Sequence, residues 1–435
     1  MGSMTDENLT LCVPRASSGQ DPHQPVLASS QRPTQYPPNH VLIKVDRFGF
    51  SANNITYQAL GEHPHFRYFD FNDAPEVGKV SPKTHGLFPV WGFGTVEKST
   101  HPKIHEGERV YGYFAPTRYL LLPVSSADVN KHAFYVPRPH LPADRRPYNQ
   151  ILRCAADPQY TSDPAVEDLT MLYRPLFWTS YWCEDWLFSS NYRGGASTIL
   201  ISSASSKTAF CLAYLIKKRI ARGELSRDVR IVGLTSKGNV DFTRGLGHYD
   251  EVLEYGSFTS GRAFSHSRGK ERWIYVDVAS NAALNERILA HFASPYAASL
   301  VACIVLGLTN LSPASPGADS IDWGTNTFDT SAASADARPS SQFWPSFENF
   351  FMPEWLDVRK HQLSIGEIFA TQNKAWQELM VDCVGWVKMD RVYGGAAVRQ
   401  AYEEVAKRGL GPERGLIWSL WDAPVESRGW WSARL

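Results

Sequence analysis

No two of the six cysteines, at 12, 154, 183, 211, 303 and 383, lie close enough to form a Cys-x-x-Cys pair. A four-cysteine structural zinc lobe needs such pairs and is excluded. Residues 1–14 lack a basic start and an apolar stretch, which argues against a secretory signal and, with it, against a disulfide framework. Met1-Gly2-Ser3-Met4 reads as a cloning remnant ahead of a native Met4. The expectation is a cytoplasmic protein with reduced, mostly buried thiols. Surplus charge is also missing: Lys+Arg and Asp+Glu are both 44, so nothing displaces counterions and no nucleic-acid partner is expected. No apolar run approaches the ~18 residues of a membrane span, so no membrane partner is expected either. The longest run, 297–308, is short and β-branched and reads as a buried strand. The 13 histidines give one close pair, His63 and His65, without a visible third ligand; a polar loop is the plainer reading and no metal is expected.

What is present is a globular composition. Aromatic residues make up 13% of the chain, too many for disorder, and 435 residues allow two or three domains at roughly 100–200 residues each. Residues 1–38 are rich in Pro, Ser and Gln and read as a mobile tail. From 39 onward short β-rich segments at 41–45, 88–96, 108–113 and 119–124 are punctuated by Gly and Pro, as in a compact all-β unit. Residues 166–188 are helical in pattern, with Leu169, Leu172, Trp178 and Trp182 on more than one face, which suits a helix buried between layers. An alternation follows: strand 198–201, turn 202–206, helix 207–220, strand 229–234, short helix 239–247, and strands 251–253, 273–278 and 300–306. Near-continuous apolar strands separated by helices predict a parallel sheet covered on both faces. Residues 311–341 read as a surface insertion. The aromatic run 342–355, with Phe343, Trp344 and Phe350, reads as core packing, with a pocket cover as the alternative. A helix at 365–384, a strand at 387–389, a helix at 396–407 and a strand at 415–420 close the chain.

The turn between the first parallel strand and its helix is the candidate site. It reads Ser202-Ser203-Ala204-Ser205-Ser206-Lys207-Thr208, with no glycine. Small residues still let a ligand approach the backbone, and a helix N-terminus presents unpaired N–H groups to phosphate. A purely structural turn remains the alternative. The next strand runs into Leu234-Thr235-Ser236-Lys237-Gly238-Asn239, without the acid that would accept a ribose hydroxyl. Hydroxyls plus Lys237 suit a 2′-phosphate, so NADP(H) is the favoured cofactor; a solvated turn is the alternative.

These features, with Phe242-Thr243-Arg244-Gly245-Leu246-Gly247 and Asp250-Glu251-Val252-Leu253-Glu254-Tyr255, resemble the cofactor domain of the medium-chain dehydrogenase/reductase superfamily. Ser51-Ala52-Asn53-Asn54-Ile55-Thr56-Tyr57 resembles its early Asn-x-x-x-Tyr segment. Gly92-Phe93-Gly94-Thr95-Val96 with Glu106-Gly107-Glu108-Arg109-Val110-Tyr111-Gly112 resembles its glycine core. The resemblance covers about 40–308 and 385–420 and is to a fungal and bacterial branch. It implies an α/β protein: a GroES-like β domain (39–165, with 342–435 returning to it) plus a Rossmann-type doubly wound parallel sheet domain (166–310). The superfamily's zinc ligands are missing, since Trp91-Gly92-Phe93-Gly94 holds neither His nor Glu. The chain is thus similar to the zinc-independent enoyl- and quinone-reductase side. The implied activity is NADPH-linked reduction of a small hydrophobic enone or ketone, in secondary metabolism, with a homodimer left open. The implied cofactor-binding residues are Ser203, Ala204, Ser205, Ser206, Lys207, Thr208, Thr235, Ser236, Lys237, Asn239 and Tyr255, and Tyr57 is the candidate proton donor. A non-redox lyase, isomerase or cyclase on the same scaffold, and a non-catalytic binding protein, stay open.

Overall fold

The computed structural model describes residues 6–265, 271–294, 297–307, 313 and 347–423. Strand β1 (Glu7–Pro14) pairs antiparallel with β2 (Val26–Gln31), from Glu7 opposite Gln31 to Cys12 opposite Val26, and with the short β4 (His85–Gly86). This corrects the reading of 1–38 as a mobile tail. Leu11, Cys12 and Val13 are fully buried, and Leu11 N–H donates to the Pro116 carbonyl at 2.9 Å. An eight-residue strand among prolines and serines is diluted in any average over 38 residues, yet its apolar face is enough to bury it.

The larger sheet has eight strands. Strands β3 (His40–Phe50), β5 (Val90–Ser99), β6 (Arg109–Phe114), β7 (Tyr119–Pro123), β8 (Ala133–Tyr135) and β9 (Gln150–Arg153) are joined by the C-terminal β16 (Lys388–Tyr393) and β17 (Arg414–Ser419). The order is β16-β17-β3-β5-β6-β9-β8, with β7 on β3. Helix α1 (Ala52–Ala59) leaves β3 through a capping box at Ser51 and Asn54.

The second sheet is parallel throughout its six strands: β12 (Glu251–Glu254), β11 (Arg230–Thr235), β10 (Thr198–Ile201), β13 (Arg272–Asp277), β14 (Ser299–Val305) and β15 (Phe347–Asn349), in that order. Its strands alternate between two cores. Ile199 and Ile201 pack with Leu187, Leu212 and Ile216, while Leu200 packs with Val232, Leu234 and Trp273 on the other face. Helices α2 (Pro164–Ser189), the short α3 (Asn191–Gly195) and α4 (Lys207–Ala221) are followed by α5 (Val240–Gly245), α6 (Arg262–Ser265) and α7 (Ala282–Phe292). Beyond β15 come α8 (Met352–Gln362), α9 (Ile365–Asp382) and α10 (Gly395–Arg408). Phe350 is 8% exposed and joins the core that contains Leu187; the 311–341 insertion and Phe343 and Trp344 lie outside the described residues, Pro313 apart. Among the described residues no helix is long and apolar enough to cross a membrane.

Helix α2 is tied to the antiparallel sheet through buried charge. Asp168, 1% exposed, accepts from Arg47 Nε at 2.7 Å and from Arg391 Nε at 2.6 Å. Glu167, 4% exposed, accepts from Arg47 and Arg109. Each carboxylate lies between arginines of different strands, which fixes α2 against β3, β6 and β16.

Candidate functional site

The C-terminal ends of the parallel strands meet the large antiparallel sheet across an open cleft of about 1070 Å³. Strand β10 ends there in the hydroxyl turn. Ser202 Oγ donates to Asp277 Oδ1 at 2.9 Å and accepts the N–H groups of Val278 and Ala279 at 2.9 and 3.0 Å. Asp277 also accepts from Asn285 Nδ2 at 2.7 Å. The ends of β10 and β13 are therefore locked together. Sequence reasoning missed Asp277, because an acid closing an apolar strand gives no local sign of its partners.

Ser203 takes a left-handed backbone, φ +50°, where glycine would be the unstrained choice. Its N–H donates to Tyr255 Oη at 3.0 Å. Ser205 Oγ accepts from Thr235 Oγ1 at 3.2 Å and Asn239 Nδ2 at 3.1 Å. Ser206 caps α4, accepting the Ala209 N–H. The glycine missing from the turn is found on the facing strand. A Cβ on Gly233 would come within 2.8 Å of Ala204 Cβ and 2.9 Å of the Tyr249 ring. Only a glycine in β11 lets the alanine-bearing turn sit this close.

The predicted cofactor residues divide between two cavities. Ser203, Ser205, Ser206, Lys207, Thr208 and Asn239 line the large cleft. Thr235, Ser236 and Tyr255 line, with Ser203, Ser205 and Asn239, a smaller cavity of about 150 Å³ at the ends of β10 and β11. The walls of that cavity are hydroxyls, amides and Ala279, with no charged side chain. Two assignments change. Ala204 is fully buried and lines neither cavity; its part is packing, and its carbonyl accepts from Tyr249 Oη at 2.8 Å. Lys237 is exposed and also lines neither.

Lys207 is buried at the first position of α4, and its Nζ donates to the Arg414 carbonyl on β17 at 3.1 Å. Among the described residues no carboxylate lies within ion-pair distance of it. Burial pushes its pKa down to about 8, with Cys211 and Glu413 acting weakly the other way.

Tyr57 faces the same cleft from α1. Its ring packs on Tyr68 at 4.5 Å and edge-on to Tyr113 at 5.6 Å, and its oxygen accepts from Asn53 Nδ2 at 2.7 Å. Burial first, and the neighbouring Tyr148 second, hold its pKa well above the ordinary tyrosine value. The phenol stays protonated at neutral pH and has a proton to give. Trp91 and Tyr111, whose rings stack at 5.6 Å, continue the aromatic wall. His63 Nδ1 accepts the His65 N–H at 3.1 Å within a loop, and among the described residues no three His, Cys, Asp or Glu side chains gather as a metal site.

The family described as "Protein of unknown function (DUF2855)" matches residues 48–411. None of the curated proteins matches the chain. Among solved structures, CurA from Vibrio vulnificus in complex with NADPH is 10% identical, with a TM-score of 0.54 over 94% of this chain and 98% of its own. Mycobacterial Rv1454c complexed with NADPH is 13% identical, with a TM-score of 0.50 over 95% and 99%. CurK enoyl reductase is 11% identical, with a TM-score of 0.50 over 95% and 99%. At these identities the likeness is one of fold: a GroES-like β domain and a Rossmann-type parallel sheet domain. With the family match spanning most of its length, the chain belongs to the DUF2855 family and carries it on that fold.

Proposed function

We propose that the chain is a zinc-independent, NADPH-linked reductase of a small hydrophobic enone or ketone. One observation carries the reading: the helix N-terminal turn and Tyr57 open onto a single cleft. The residues fit the dinucleotide. The N-terminus of α4, with the Ser205, Ser206 and Thr208 hydroxyls, suits a pyrophosphate. The small cavity takes the adenosine ribose, and no carboxylate there repels a 2′-phosphate. Two proteins of the same fold have been crystallised with NADPH. When bound, the cofactor supplies a hydride to the substrate's electrophilic carbon. Tyr57 then gives its proton to the oxygen or carbon that gains the electron pair, and water reprotonates it. The aromatic wall excludes bulk water from that transfer.

The six cysteines are free and buried, in keeping with a reducing, cytoplasmic setting. A role in secondary metabolism belongs to the same proposal. Calorimetry with NADPH and NADH tests it: NADPH is expected to bind at least about tenfold tighter, near 1.4 kcal/mol. Equal affinities would overturn the preference for the phosphorylated cofactor, and no binding of either would overturn the reductase reading and favour a non-redox lyase, isomerase or cyclase in this cleft. Elemental analysis is expected to find no stoichiometric zinc.

A further inference from the structure

Among the described residues, the large cleft holds more positive than negative charge: apart from His132, its charged side chains are Arg174, Lys207 and one carboxylate, Asp157. The excess is that of Lys207 at the turn; Arg174 is paired with Asp157, and what it offers an anion is its unused donors. Its side chain is 12% exposed, and Nη1 donates to Asp157 Oδ2 at 2.7 Å. Its guanidinium carbon lies 5.3 Å from the Tyr111 ring centre and 5.9 Å from that of Trp376. Asp157 is held in turn by the Gln159 N–H at 3.0 Å. A guanidinium has five donors; one is used here, and the others meet no protein acceptor among the described residues. From Arg174 the floor of the cleft continues over Tyr111 to Trp91, which borders the cleft together with Tyr57.

We propose that Arg174 binds a carboxylate of the substrate, making the substrate class a flat unsaturated ketone that also bears an acid group. The apolar body lies on the Trp91–Tyr111 stack, with the reacting end at Tyr57 and the carboxylate at the guanidinium. The geometry suits a planar oxyanion, since free guanidinium donors match a carboxylate pairwise. The proposal rests on reading this cleft as the reductase's substrate site, but equilibrium binding tests it without requiring turnover.

The probes are 4-carboxybenzylideneacetone and its methyl ester, titrated calorimetrically into the full chain with and without NADP+. The acid is expected to bind at least tenfold tighter than the ester. Arg174→Gln should bring that ratio close to one, and Asp157→Asn, which frees the arginine, should raise it. Arg174→Lys keeps the charge but loses the fork, so it should retain part of the preference; it also serves if the Gln variant does not fold. Equal binding of acid and ester, no binding of the acid, or an unchanged ratio in Arg174→Gln would overturn the proposal. So would an Arg174→Gln defect confined to NADPH affinity, which would assign the arginine to a cofactor phosphate. Selective acid binding without NADPH oxidation would leave the anion site standing and sink the reductase reading instead.

Discussion

The Asn53 side-chain amide donates to the Tyr57 hydroxyl across one turn of α1, at 2.7 Å. The bond occupies a lone pair of the phenol oxygen and leaves the phenol proton to be given elsewhere. Tyr57→Phe keeps the ring against Tyr68 and removes only that donor. General-acid catalysis contributes about 10²–10⁴-fold, so kcat should fall by about that factor with NADPH affinity little changed. A kcat near wild type, with the chemical step shown to be rate-limiting, would leave Tyr57 a packing role alone.

Gly233 is where the cradle is most sensitive to volume. A methyl group there meets Ala204 Cβ and the Tyr249 ring well inside contact distance. Gly233→Ala should cost about 1–3 kcal/mol by overpacking and displace the Ser203–Ser206 turn, weakening NADPH binding. Ala204→Gly in the same chain removes one of the two clashes and should restore part of both. Denaturant unfolding and nucleotide titration of the single and double variants check this; additive losses would contradict it.

Asp168 tests the join between α2 and the antiparallel sheet. Asp168→Asn leaves Arg47 Nε and Arg391 Nε, at 2.7 and 2.6 Å, facing a neutral amide. Breaking one side of a buried ion pair costs about 3–5 kcal/mol, and Arg391's partial exposure to water places the expected loss at the lower end. Urea unfolding measures it, and a loss below about 1 kcal/mol would show that the cluster behaves as a surface pair.

Lys207 predicts a pH effect with a definite sign. Its folded pKa is lowered from 10.5 to about 8, so between these values the unfolded chain holds a proton that the folded chain has released. Stability should therefore rise with pH across that window, and the wild-type curve should be steeper there than that of Lys207→Met. Dinucleotide affinity should move the opposite way, falling above pH 8 as the ammonium near the phosphate site is lost. Parallel curves for the two proteins would remove Lys207 from both roles.

Much of this architecture is written locally. The apolar strands at 198–201, 229–234 and 273–278 with their intervening helices specify a parallel sheet, because only burial on both faces accounts for strands without a polar side. The turn at 203–208 is legible for the same reason: small residues at a strand–helix junction mark a close backbone approach whatever their identity. The N-terminal strand was not legible: its hairpin partner at 26–31 is short and polar, and the contacts that bury it, such as those at Pro116 and Tyr119, lie more than a hundred residues away. Tertiary structure alone decided that Lys207 reaches the Arg414 carbonyl, that Lys237 stays outside both cavities, and that Gly233 does the work of a missing turn glycine. It also placed Arg174 over Tyr111, which no spacing within α2 could announce. Local pattern sets period and burial, whereas the meeting of side chains from distant strands is fixed only once the two sheets face each other across the cleft.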